Sequence, residues 1–93
     1  MERCLKISGR VQGVGFRFWA ARLARSIGEI SGYACNLPDG DVLVLMSGEE
    51  TKLNQMQTYL YKGPLFARVD KIEETPELKA YLPPIEKNVF KRI

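Results

Sequence analysis

Apolar and polar residues alternate from Arg3 to Ser8. Arg3, Leu5 and Ile7 share one face and Cys4, Lys6 and Ser8 the other, so residues 2–8 are predicted as a strand. After Gly15 the period changes. Phe16, Ala20, Leu23, Ala24 and Ile27 form one stripe at helical spacing, which predicts a helix over 16–27 with Gly28 as its stop. Residues 30–36 read as a second strand, and Leu37-Pro38-Asp39-Gly40 carries turn chemistry. Residues 41–46 are apolar on both faces, the pattern of a central strand. Ser47 followed by Glu50 has the spacing of a capping box and opens a second helix with Leu53, Met56 and Leu60 on one face, ended by Gly63-Pro64. Residues 66–74 alternate imperfectly as a fourth strand. Pro76, Pro83 and Pro84 mark a connector, and Val89–Ile93 is a short final edge strand.

The predicted order is β-α-β-β-α-β plus a tail strand, with no internal repeat and no low-complexity tract. Its simplest solution is the ferredoxin-like α+β sandwich, an antiparallel sheet with two helices on one face, forming a single domain over residues 1–93. In that topology the first two strands are parallel through a right-handed crossover, with the third slotted between them. The end of the first strand and Asn36 at the end of the second then lie on one sheet edge, about 9–10 Å apart. Cys4 and Cys35 fall on non-adjacent strands, so both are expected as free thiols.

Composition narrows the chemistry. At 93 residues with 45% hydrophobic content, the chain can bury one modest core. No apolar run approaches the roughly 20 residues of a membrane span. Glu2, Arg3 and Lys6 interrupt any signal-peptide pattern, so the expectation is a soluble, cytoplasmic protein without membrane association. The net charge of +3 suits small anionic ligands and is weak support for nucleic acid. Histidine is absent, which removes the commonest general acid–base and the commonest transition-metal ligand. Two cysteines without histidine are too few for a structural zinc site, and neither metal nor cofactor is expected.

The stretch Gly9-Arg10-Val11-Gln12-Gly13-Val14-Gly15 joins strand to helix. Such a turn gathers backbone N–H groups at the positive end of a helix and suits an anion. Arg17 could fold its guanidinium over the same volume. The candidate phosphate-binding residues are Arg10, Val11, Gln12, Gly13, Val14, Gly15 and Arg17. Arg17 and Asn36 are the candidate catalytic pair. Phe18 and Trp19 are read as packing residues, and Lys91-Arg92 as a solvated tail.

These residues resemble the acylphosphatase family. One signature is matched by Ile7-x-Gly9-x-Val11-Gln12-Gly13-Val14-x-Phe16-Arg17. A second runs from Gly32 through Tyr33, Ala34 and Asn36 to Gly40, Val42 and Gly48, and the resemblance extends to about residue 75. It implies a metal-free hydrolase that cleaves an acyl phosphate to a carboxylate and inorganic phosphate, with the loop and Arg17 binding phosphate and Asn36 positioning water. Cys35 and Glu29-Ile30 depart from the family pattern, and the segment from Pro76 onward matches poorly. The chemistry agrees with the absence of histidine: a carboxylate leaves without needing a proton, so positioning and charge stabilisation remain the main tasks. Asn36 cannot act as a base and can only orient water. A nucleic-acid-binding module on the same fold is the alternative from another class, but Arg3–Ile7 and Val42–Met46 offer no aromatic for base stacking. A non-catalytic phosphate-binding domain is the other alternative.

Overall fold

The computed structural model describes every residue from Met1 to Ile93. The elements are β1 (Glu2–Arg10), α1 (Phe16–Ile27), β2 (Ser31–Asn36), β3 (Val42–Ser47), α2 (Glu50–Leu60), β4 (Arg68–Glu74), a 3-10 helix (Pro76–Tyr81) and β5 (Phe90–Arg92). They build one sheet in the order β4-β1-β3-β2-β5. β3 lies antiparallel between β1 and β2, and β4 pairs antiparallel with β1, giving the ferredoxin-like arrangement. β5 adds to the far edge parallel to β2, so the five-stranded sheet is mixed.

The alternation within each strand assigns the faces. Leu5, Ile7, Ala34, Val42, Val44 and Met46 point to the helix side, where they pack with Phe16, Ala20, Ala24, Leu53, Met56 and Leu60. Both faces of β3 are buried, as its unbroken apolar run requires. Arg3 shares the helix face and donates to Asn54 and Gln57 of α2. Gly28 closes α1, its N–H donating to the Ala24 carbonyl. Cys4 and Cys35 are both free thiols on β1 and β2, with β3 between them. No helix is long and apolar enough to cross a membrane.

Three boundaries shift by two residues from the sequence expectation. β1 continues through Gly9 and Arg10, which pair with Val69 and Arg68 of β4 after a bulge. Gly9 has φ 128°, and a Cβ there would stand 2.1 Å from the Arg68 carbonyl oxygen, so only glycine admits this pairing. The connecting loop therefore starts at Val11 rather than Gly9. The capping box does not form: Glu49 occupies the N-cap of α2, and no side chain caps it. Ser47 is the last residue of β3, facing Glu2 and Ser31 on both sides, and its backbone is committed to the sheet. β4 begins only at Arg68; Leu65 and Phe66 are exposed in the preceding turn, closed by Ala67 N–H to Pro64 C=O at 3.0 Å.

The proline-marked connector is also a cover. Leu78, Leu82 and Ile85 pack on the second sheet face against Cys4, Tyr33, Leu43 and Leu45. Two bonds fasten it there: Thr75 N–H to the Cys4 carbonyl (2.8 Å) and the Tyr33 hydroxyl to the Pro83 carbonyl (2.7 Å). From there the chain returns to the helix side, where Phe90 is buried in the main core. Arg25 of α1 donates to the Phe90 carbonyl at 3.0 Å, holding β5 against the helix.

Candidate active site

Between β1 and α1 the chain makes a tight reversal. Val11 is buried and anchors its start, while Phe16 is buried and anchors its end. Gly15, the N-cap of α1, has φ 78°, a left-handed conformation that L side chains rarely adopt. It lets the loop turn directly into the helix without a capping side chain. The first bond of the helix runs from Trp19 N–H to Gly15 C=O at 3.0 Å, and no loop or cap hydrogen bond uses an N–H between Gln12 and Phe18. A row of backbone donors is thus left at the positive end of the helix dipole.

The loop is clamped to the β2–β3 turn. The Gln12 amide nitrogen donates to the carbonyls of Leu37 (2.8 Å) and Asp41 (2.9 Å). On the same turn, Lys6 Nζ reaches Asp39 (2.8 Å) and Asp41 (3.2 Å), and the Ser8 hydroxyl donates to Asp41 at 2.9 Å. The Asp39 hydrogen bond chiefly raises the Lys6 pKa, and the same bond chiefly lowers that of Asp39, so both stay charged across neutral pH. This network fixes the glycine loop relative to Asn36, the residue immediately before the turn.

A recess of about 90 Å³ opens where the loop meets the sheet edge, with room for a few waters or one phosphoryl group at about 30 Å³ per water. The loop and helix side contributes Val11, Gly13, Gly15, Phe16, Arg17 and Phe18; the sheet contributes Asn36 and Arg92. The strand period explains Asn36: it lies two residues beyond Ala34, whose side chain is in the helix-side core. Arg17 is oriented from behind, one guanidinium nitrogen donating to the Ile93 carbonyl at 3.0 Å and leaving the rest of its donor fork free. Of the other residues expected at the phosphate, Val11, Gly13 and Gly15 line the recess. Arg10, Gln12 and Val14 do not: Arg10 is paired into β1, Gln12 forms the clamp, and Val14 faces a neighbouring groove.

Arg92, read from the sequence as part of a solvated tail, is brought to the recess. It pairs with Ala34 in the parallel β2–β5 ladder and lies two residues from buried Phe90, on the same sheet face as Asn36. Its guanidinium lies over the Phe18 ring, 5.3 Å from the centroid, and no salt bridge in the chain engages Arg17 or Arg92. The Phe90-x-Arg92 spacing was the available signal; without the parallel pairing it could not be assigned a face. Cys35 adjoins Asn36 in sequence but packs on the opposite sheet face. Burial, reinforced by nearby Cys4, pushes its thiol pKa up against the opposing pull of Arg17, which keeps it protonated near neutral pH.

The strand order and the donor-rich edge define a ferredoxin-like α+β protein with an anion-sized recess between a glycine loop and the end of β2. The family model described as Acylphosphatase matches residues 4–82. A curated acylphosphatase of Legionella pneumophila (strain Corby) is 55% identical over 71 residues, covering 74% of this chain and 77% of that protein. Another, from Photobacterium profundum, is 50% identical over 72 residues, covering 75% and 79%. The crystal structure of an acylphosphatase from Bacillus subtilis superposes with a TM-score of 0.82 at 28% identity, covering 99% of this chain and 97% of that one. The chain belongs to the acylphosphatase family and is a hydrolase. Arg92 lies beyond the stretch that the family model matches.

Proposed function

We propose that the recess binds the phosphoryl group of an acyl phosphate and that the chain hydrolyses its carboxyl–phosphate bond without a metal. The free N–H groups of Gly13, Gly15, Phe16, Arg17 and Phe18, all residues that line the recess, are the observation that carries this proposal. These groups take the phosphoryl oxygens, with Arg17 supplying the positive charge that the loose transition state needs. Asn36, on the opposite wall, holds the attacking water through its amide. Water adds at phosphorus as the bond from phosphorus to the acyl oxygen breaks. The carboxylate leaves unprotonated, and the water's proton passes to a phosphate oxygen of the substrate. No histidine is required, and none is present. Arg92 adds a second guanidinium at the same mouth.

Purified protein given acetyl phosphate, with and without EDTA, tests this. Release of acetate and phosphate at equal rates in both samples is expected. Absence of turnover would overturn the proposal, and loss of turnover with EDTA would overturn its metal-free form.

A further inference from the structure

We infer that the groove along α1 beside the recess is the subsite for the acyl portion and that it selects extended apolar acyl groups over acetyl. This rests on the proposed phosphoryl site. The groove has a volume of about 570 Å³, and Gly15 and Phe18 line both it and the recess. Val14, Trp19, Leu23 and Pro64 supply its remaining apolar wall. From Gly15 the lining residues Phe18, Trp19, Arg22, Leu23 and Ser26 follow the helical repeat, so the groove runs about 16 Å along the helix at about 1.5 Å per residue. In an acyl phosphate the carbonyl carbon is joined to phosphorus through a single oxygen. With phosphorus in the recess, the acyl chain can therefore enter the groove beside Gly15 and Phe18, the two residues common to both.

The wall is held in place before any ligand arrives. Phe18 is 48% exposed at the junction, yet the guanidinium groups of Arg22 and Arg92 lie over its ring at 5.8 and 5.3 Å. Trp19 meets buried Phe16 edge-on at 5.5 Å. An exposed aromatic fixed in this way offers apolar surface at little cost in side-chain entropy. The groove is open to solvent along its length, so an occupant would be only partly buried and each added methylene should gain a modest amount.

The test measures kcat/KM of the full chain for acetyl, butyryl, hexanoyl and octanoyl phosphates. A rise of about two- to fourfold per methylene is expected, the upper value corresponding to full burial of each group. Trp19→Ala should flatten the series while leaving acetyl phosphate turnover and inhibition by inorganic phosphate within about twofold, consistent with a change confined to apolar contact. Leu23→Asn, which keeps side-chain length and branching, should do the same and serves if the tryptophan variant does not fold. A wild-type series that is level from acetyl to octanoyl would overturn the subsite and leave the phosphatase proposal standing. Failure to hydrolyse any member would overturn both.

Discussion

At the scale of single residues, the recess joins groups that act at different stages of the proposed reaction. In the proposed reaction Arg17 faces the phosphoryl group; its fork is held by the Ile93 carbonyl. Replacing it with glutamine removes the charge near the loop donors, so inhibition by inorganic phosphate should be lost and kcat/KM should fall by orders of magnitude. Unchanged phosphate affinity would remove Arg17 from phosphate binding. Asn36→Ala should instead lower kcat with little change in phosphate affinity, because the amide acts on water. Arg92→Ala should weaken phosphate inhibition by about tenfold, the lower end for a hydrogen bond to a charged group, because the residue is exposed. Cys35 lies on the far face with its thiol kept protonated, so its departure from the family pattern leaves the recess itself unaltered.

At the scale of elements, the proposed mechanism depends on the distance between the β1–α1 loop and the β2–β3 turn. Gln12 spans that gap with two hydrogen bonds, each worth about 0.5–1.5 kcal/mol. Gln12→Ala should cost about 1–3 kcal/mol of stability on that basis and should lower kcat more than it weakens phosphate binding, because Asn36 loses its register with the loop. Urea unfolding and steady-state kinetics check the two parts; an unchanged kcat would show that the Lys6–Asp39–Asp41 and Ser8–Asp41 contacts are sufficient to hold the turn. β5 is an equally short device. Three residues paired to β2 bring Arg92 to the mouth and the Ile93 carbonyl to Arg17.

For the molecule as a whole, the sheet carries a buried layer on each face. Cys4, Tyr33 and Cys35 lie in the second layer beneath the 76–85 cover, and burial is the main cause raising each of their pKa values. The unfolded groups titrate near 9.0 for the thiols and 10.0 for the phenol. Well below pH 9, near neutrality, both states keep these protons and stability is unaffected. As pH rises, the unfolded chain releases them first, so stability falls until the folded-state pKa values are passed. Urea unfolding at pH 7, 9 and 10.5 should show stability falling already at pH 9 and further at 10.5, with a smaller fall in a Cys4→Ala, Cys35→Ala variant. An equal decline in that variant would place the effect outside the thiols.

Local patterning determined most of the architecture. The period of two in Leu5 and Ile7, the stripe from Phe16 to Ile27 and the doubly apolar run of β3 each allowed one placement, and their order defined a ferredoxin-like sheet with Asn36 beside the glycine loop. Those signals survive because each element buries a face whose spacing its own residues set. The tertiary structure decided what rests on pairing between distant segments. Gly9 and Arg10 became strand because β4 passes beside them, and Ser47 could not cap α2 because β1 and β2 engage it on both sides. Pro76 to Ile85 became a cover because the second sheet face left apolar side chains to bury. Arg92 became part of the recess only when β5 docked parallel to β2. A three-residue edge strand carries too little periodicity to state its partner or its face; here the burial of Phe90 in the core fixes the face and the parallel ladder to β2 the partner.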